Sequence, residues 1–88
     1  MEIKEIEYSS HFKRIYQKLD SRVQHKAEKQ EIIFRHSPFD PHLKTHKLKG
    51  KLKAFYSFSI DYKIRIVFRF IGRHKAVFLD IGDHAIYQ

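Results

Sequence analysis

The sequence contains no cysteine and no tryptophan, and it has only three glycines and two prolines among its 88 residues. Without cysteine, a disulfide framework, a thiolate metal site and a cysteine nucleophile are excluded together. The glycines form neither a Gly-rich phosphate-binding loop nor a G-x-S-x-G nucleophile motif. Any catalytic function therefore has to use other residue types.

Long apolar segments are also missing. The longest unbroken run of aliphatic and aromatic residues is 76–79, far short of the ~20 apolar residues of a membrane-spanning helix. The first eight residues carry three glutamates, so they lack the apolar stretch of a signal peptide. We therefore expect a cytoplasmic protein, and at ~100–200 residues per domain the 88 residues predict a single domain over 1–88.

Acidic residues are scarce in the second half of the chain. Lys and Arg total 18 against 10 Asp and Glu, which gives a net charge of +8. Residues 1–40 carry a net charge of +1, whereas residues 41–88 carry ten basic and three acidic side chains, a net charge of +7. Such a field attracts polyanions, and it favours nucleic acid as a partner. The alternative is a solvated face that keeps the protein in solution.

Two consecutive helices are predicted in the first half. Apolar residues at i, i+3, i+4 and i+7 between Phe12 and Leu19 form an amphipathic stripe, and Ser9 or Ser10 offers an N-cap. A capping box that begins at Ser21 predicts a second helix through His36, which the following Ser-Pro pair ends. The two-residue connection indicates a helical hairpin.

Strands are predicted on both sides of this hairpin, over residues 2–8, 54–60, 63–70 and 75–81. The order β-α-α-β-β-β predicts an α+β domain in which the hairpin packs on a largely antiparallel sheet. One face of the sheet is apolar and suits the core. The opposite face is expected to collect polar and basic side chains, namely Ser57, Ser59, Lys63, Arg65 and Arg69.

A ladder of lysines surrounds Gly50. Lysine is a mobile point charge that suits phosphodiester backbones and carries little base specificity. We expect these side chains to contact nucleic acid, and the alternative is an edge strand that lysines protect from aggregation. The ladder consists of Lys44, Lys47, Lys49, Lys51 and Lys53.

Two histidines stand towards either end of the basic half, His46 just before Lys47 of the ladder and His84 after the last predicted strand. Two imidazoles can act as general base and general acid near neutral pH without a metal, although a lone histidine is more often a surface residue. His42 and His46 have the i, i+4 spacing of a metal pair, but they lie in a proline-bounded segment without a third ligand. We therefore expect no metal and no cofactor.

In order along the chain, H-K-L-K-G (46–50), R-I-V-F (65–68) and L-D-I-G-D-H-A-I-Y (79–87) resemble the RelE/ParE superfamily of type II toxins. The nearest pattern is that of the YafQ-like or RelE/StbE-like mRNA interferases. The resemblance implies a RelE-like fold, a ribosome-dependent endoribonuclease acting on mRNA, and a cognate acidic antitoxin. It places His46, His84 and Tyr87 at catalytic positions, and Arg65 matches the arginine of the RelE-type pattern.

The sequence departs from the YafQ-like pattern in the middle strands, where one further histidine is absent and Asp61 aligns only with a shift. Asp61 nevertheless completes the expected catalytic set. Two alternatives remain open, a ParE-like inhibitor of DNA gyrase and a non-catalytic module that binds nucleic acid or the ribosome. The side chains expected to bind RNA are Lys47, Lys49, Lys51, Lys53, Lys63 and Arg69.

Overall fold

The computed structural model describes residues 1–50 and 54–83 as a helical hairpin on a five-stranded sheet. The predicted α+β class is confirmed, and one short strand is added before the expected last three. The elements are β1 (Glu5–Tyr8), α1 (Ser10–Lys18), α2 (Ser21–His36), a 3-10 turn (Pro41–Leu43), β2 (His46–Lys47), β3 (Tyr56–Ser59), β4 (Arg65–Ile71) and β5 (Lys75–Gly82).

The strands lie in the order β1-β5-β4-β3-β2. β1 pairs with β5 in parallel, and the other three pairings are antiparallel, so the prediction of a largely antiparallel sheet is confirmed. The helical hairpin connects β1 at one edge with β2 at the other. Its length allows this crossing, which a short turn does not.

The core is built around the ring of Phe34 on α2. Its centroid lies 4.8 Å from those of Phe58 and Phe68 and 5.4 Å from that of Phe78, and all four side chains are fully buried. Stacked and edge-to-face contacts of this kind stabilise the core beyond the burial of their apolar area. They fix the hairpin against β3, β4 and β5.

The starts of the two helices differ in how well the sequence predicts them. Ser9 caps α1, as expected, since its hydroxyl accepts a hydrogen bond from the Phe12 N–H at 3.0 Å. The prediction of a capping box at Ser21 for α2 is wrong. Asp20 is the N-cap, and its carboxylate accepts from the Val23 N–H at 3.0 Å. Gln24 instead donates to the carbonyl of Tyr16 at 2.8 Å and ties the two helices together.

The turn between β3 and β4 shortens the predicted strand 63–70, which begins only at Arg65. The carboxylate of Asp61 accepts hydrogen bonds from the backbone N–H groups of Lys63 at 2.8 Å and Ile64 at 2.7 Å. An aspartate that bonds the backbone two and three residues ahead favours a turn over a continuing strand. Within the described ranges, no helix is both long and apolar enough to cross a bilayer.

Candidate active site and nucleic-acid interface

Arg65, at the start of β4, is buried rather than part of an open basic face. Its side chain is only 7% exposed. Nε donates to the hydroxyl of Ser57 at 2.9 Å, while Nη2 donates to the carbonyl of Lys44 at 2.8 Å and to that of Ser57 at 3.2 Å. Arg65 and Ser57 lie on the same face of the sheet, as predicted, and the segment around Lys44 lies against the guanidinium, so both residues are buried.

The backbone of Lys44 has an unusual conformation that makes this contact possible. Its φ of 50° is the left-handed region, which a non-glycine residue seldom adopts. Lys44 ends the 3-10 turn, its N–H donating to the carbonyl of Pro41 at 3.2 Å, while the Thr45 hydroxyl bonds the carbonyl of Pro38 at 2.6 Å. These bonds hold the Lys44 carbonyl against Arg65, so Lys44 contacts the guanidinium through a backbone oxygen.

His46 joins this cluster from the exposed side. Its Nδ1 lies 3.3 Å from Arg65 Nη2 and 3.3 Å from the carbonyl oxygen of Lys44. Guanidinium only donates and a carbonyl only accepts, so each contact requires a different tautomer of the imidazole. When Nδ1 carries the proton, it donates to Lys44 and leaves the lone pair of Nε2 free. In that tautomer Nε2 is the acceptor atom of the ring.

Antiparallel pairing brings the members of this cluster together from distant parts of the chain. β2 pairs with β3 so that His46 lies opposite Ser57, and β3 pairs with β4 so that Ser59 lies opposite Arg65. At the other side of β4, Arg65 lies opposite Gly82, the last residue of β5. The catalytic candidates His84 and Tyr87 follow Gly82 in the sequence, and both lie outside the described residues.

Among the described lysines of the ladder, Lys47 lies in β2, whereas Lys44 precedes that strand and Lys49 follows it. β2 and β3 are antiparallel, and Leu48, buried between the lysines, extends their pairing by donating its N–H to the carbonyl of Phe55 at 2.9 Å. Lys47 and Lys49 are exposed and line a cavity of about 410 Å³ with His46. Lys51 and Lys53 lie outside the described residues.

The two remaining RNA-binding candidates flank Arg65 at a distance. Lys63 is exposed in the turn before β4, and Arg69 is exposed on the strand four residues after Arg65. At ~3.3 Å per residue, four residues along a strand cover ~13 Å. The described basic side chains are therefore spread along the sheet, and Lys47 and Lys49 are the ones that line the same cavity as His46.

The contacts of Asp61 stabilise the turn between β3 and β4. Besides its two backbone partners, its carboxylate lies 3.6 Å from the ammonium of Lys26 on α2. Partial burial alone would raise the pKa of Asp61, but the N–H groups of Ile64 and Lys63 and the charge of Lys26 outweigh it and lower the pKa. Within the part of the chain that the structure describes, its hydrogen bonds place it in the turn and not in the cluster of His46, Arg65 and Ser57.

Two members of the cluster were not anticipated from the sequence in these roles. Ser57 is fully buried and accepts from the Arg65 Nε. Lys44 was expected to act through its ammonium. The signal available in the sequence is a serine between two aromatic residues, Tyr56 and Phe58, on a strand that precedes a basic strand.

This chain is similar in structure to several known proteins. No protein-family model matches the sequence, and no curated protein is significantly similar to it. The YoeB/ParE toxin from Agrobacterium tumefaciens has a TM-score of 0.78 at 21% identity, covering 91% of this chain and 98% of that chain. The RelBE2 toxin–antitoxin complex from Mycobacterium tuberculosis has a TM-score of 0.74 at 16% identity, covering 90% and 95%.

A third structure with this fold is the E. coli DinJ-YafQ toxin–antitoxin complex, with a TM-score of 0.70 at 18% identity and coverage of 98% of this chain and 97% of that chain. At such low sequence identity, the similarity in structure shows a shared fold and nothing finer. The resemblance seen in the sequence is confirmed at this level. The chain has the fold of the RelE/ParE-superfamily toxins, and YafQ is among its structural neighbours.

Proposed function

Because the chain has the fold of the RelE/ParE-superfamily toxins, we propose that it is the toxin of a type II toxin–antitoxin system and cleaves mRNA on the ribosome. The observation that carries the proposal is the match to toxin structures over at least nine-tenths of the chain. The contact of His46 with Arg65 supports the catalytic part, since it places a titratable imidazole beside a fixed positive charge.

The reaction that suits these residues uses the nucleophile of RNA itself. The 2′-hydroxyl loses its proton to a general base and its oxygen bonds to phosphorus. The bond from phosphorus to the 5′-oxygen breaks, and a general acid protonates that oxygen. The products are a 2′,3′-cyclic phosphate and a 5′-hydroxyl. Each proton transfer accounts for typically ~10²–10⁴-fold of the rate.

His46 is proposed as one of the two proton-transfer groups, with Nε2 as the reacting atom. The Nδ1–H contact with the Lys44 carbonyl orients the ring, in the manner of a backbone acceptor that fixes a histidine tautomer. Arg65, held by Ser57, adds positive charge that favours the extra negative charge of the phosphorane. The sequence supplies the opposite proton-transfer group, His84, and Tyr87 as a ring to stack on a base.

Binding is assigned to exposed basic side chains. Lys47 and Lys49 line the cavity beside His46 and are proposed to contact phosphates, together with the further candidates Lys51, Lys53, Lys63 and Arg69. A small protein has little surface to hold a free RNA in line, so the ribosome is proposed to position the mRNA. An acidic antitoxin is proposed to cover the same basic half of the chain.

The test is induced expression of the chain in bacteria, followed by mapping of new 5′ ends in translated mRNA. His46→Ala is expected to abolish the new ends, because His46 is exposed and its loss removes a proton-transfer group rather than core packing. His25→Ala, at an exposed position on α2, is the matched control and should cleave like the unchanged protein. Full cleavage by a folded His46→Ala variant contradicts the assignment, and growth arrest without new 5′ ends contradicts the nuclease.

A further inference from the structure

A second cavity lies on the helix-covered side of the sheet. It has a volume of about 330 Å³, and its floor is formed by the buried side chains of Phe12, Ala27 and Ile66. Ile66 follows Arg65 in β4, and successive side chains of a strand point to opposite faces. This cavity is therefore separated by the sheet from the cluster of His46 and Arg65, and the proposed nuclease does not use it.

Three aromatic rings line the cavity in a row. The centroid of Phe12 lies 5.6 Å from that of Tyr8 at an interplanar angle of 31°, and 5.8 Å from that of Tyr16 at 19°. Phe12 and Tyr16 are four residues apart on α1, which places them on the same side of the helix. Ring faces attract cations that approach within about 6 Å of the centroid.

Two carboxylates, those of Glu28 and Glu31 on α2, line the same cavity. Glu31 accepts from the Tyr8 hydroxyl at 3.0 and 3.1 Å and lies 3.6 Å from the guanidinium of Arg35. Burial raises the pKa of Tyr16, and the charges of Glu28 and Glu31 raise it further. Among the charged residues that line the cavity, the two carboxylates outnumber the one ammonium, that of Lys13, and Arg35 is paired with Glu31.

We propose that this cavity binds a small organic cation with an apolar body, an alkylammonium or alkylguanidinium. The alkyl body would lie against Phe12 and Ile66, and the charged group would lie between the tyrosine rings and Glu28. The volume is at the lower end of the ~300–1,000 Å³ of ligand pockets, so the ligand is about the size of one long side chain. A free amine and the arginine or lysine side chain of a partner present this same chemistry.

The test is an NMR titration of the full chain with n-butylguanidinium and n-butylammonium, with n-butanol as the neutral control of similar size. Both cations should shift the backbone amide signals of α1 and α2, and n-butanol should bind at least about fivefold more weakly. Glu28→Gln should weaken cation binding about fivefold, because it removes one exposed carboxylate without changing the shape of the side chain. Glu2→Gln makes the same change in net charge away from the cavity and should leave binding unchanged.

Equal binding of n-butanol and the cations would overturn the proposal, because the cavity would then be merely apolar. Binding of none of the three, or an unchanged affinity in Glu28→Gln, would overturn it as well. Titration with the blocked tripeptide Gly-Arg-Gly separates the two sources. If the tripeptide binds at least as tightly as butylguanidinium, a partner's side chain can reach the cavity. If only the free cations bind, the site takes small amines, and either result supports a cation site.

Discussion

Replacement of Ser57 by alanine tests whether the buried hydrogen bond to Arg65 holds the candidate active site together. The Ser57 hydroxyl accepts from the Arg65 Nε at 2.9 Å, and both residues are buried, at 0% and 7% exposure. The substitution removes the acceptor and leaves a charged donor without that partner. Water cannot easily replace the lost oxygen at such a site, so solvent screening reduces the cost little.

The expected cost follows from these contacts. A hydrogen bond to a charged group contributes ~1.5–3 kcal/mol, and Arg65 keeps its two bonds from Nη2 in the variant. We therefore expect Ser57→Ala to lower the free energy of unfolding by about 1.5–2 kcal/mol. In a domain of this size one kcal/mol corresponds to ~4–8 °C in Tm, so the loss in Tm should be roughly 6–16 °C.

Urea and thermal unfolding followed by circular dichroism provide the measurement. Ser10→Ala, at the exposed first residue of α1, is the control and should stay within ~0.5 kcal/mol of the unchanged protein. In a double-mutant cycle with Arg65→Met, the coupling between Ser57 and Arg65 should be at least ~1 kcal/mol. A loss below ~0.5 kcal/mol in Ser57→Ala, or a coupling near zero, would refute the role given to this bond.

Three further predictions concern the turn, the basic surface and the second histidine. Asp61→Ala should lower the free energy of unfolding by about 1–2 kcal/mol at pH 7. Folding lowers the pKa of Asp61, so the ionised carboxylate stabilises the folded state above the unfolded pKa of 3.8, and this stabilisation is lost as the pH falls through the folded pKa. Urea titrations should therefore find a difference in unfolding free energy between the unchanged protein and Asp61→Ala that shrinks in acid. A difference that does not depend on pH contradicts this. Lys47→Ala and Lys49→Ala should each weaken binding to single-stranded RNA and reduce the slope of log K against log salt concentration by ~0.7. The control Lys29→Ala, at an exposed position on α2, should change neither quantity. Equal effects at all three positions would argue against a localised interface. His84→Ala should slow single-turnover cleavage by ~10²-fold or more with nearly unchanged ribosome affinity, and a folded variant that cuts at the original rate ends this assignment.

The sequence predicts the architecture because hydrophobic periodicity reports directly on burial. The stripe from Phe12 to Leu19 and the alternation around Phe58 and Phe68 are both core patterns, and both lie in the elements expected. The errors concern exact boundaries. Asp20 replaces Ser21 as the cap of α2, because both residues have a side-chain oxygen that can accept from an N–H group of the first turn, and the sequence does not select between them.

The sequence names candidate site residues by their chemistry, and it does not predict which of them are buried. His46 and Arg65 were expected to act together, and the structure brings them to 3.3 Å. The burial of Arg65 depends on the left-handed conformation of Lys44 and on the register that sets His46 opposite Ser57. Both are tertiary features, and alternation along a strand cannot distinguish an open polar face from one covered by a loop.

The proposed function is the cleavage of mRNA that the ribosome positions. Its most direct test is single-turnover cleavage of one mRNA by the purified chain, on a programmed ribosome and free in solution, with kinase labelling of new 5′-hydroxyl ends. The proposed function predicts cleavage at least about 10²-fold faster on the ribosome, because positioning of the reacting atoms supplies much of the rate. Equal rates on bound and free mRNA, or no 5′-hydroxyl ends in either reaction, would contradict it.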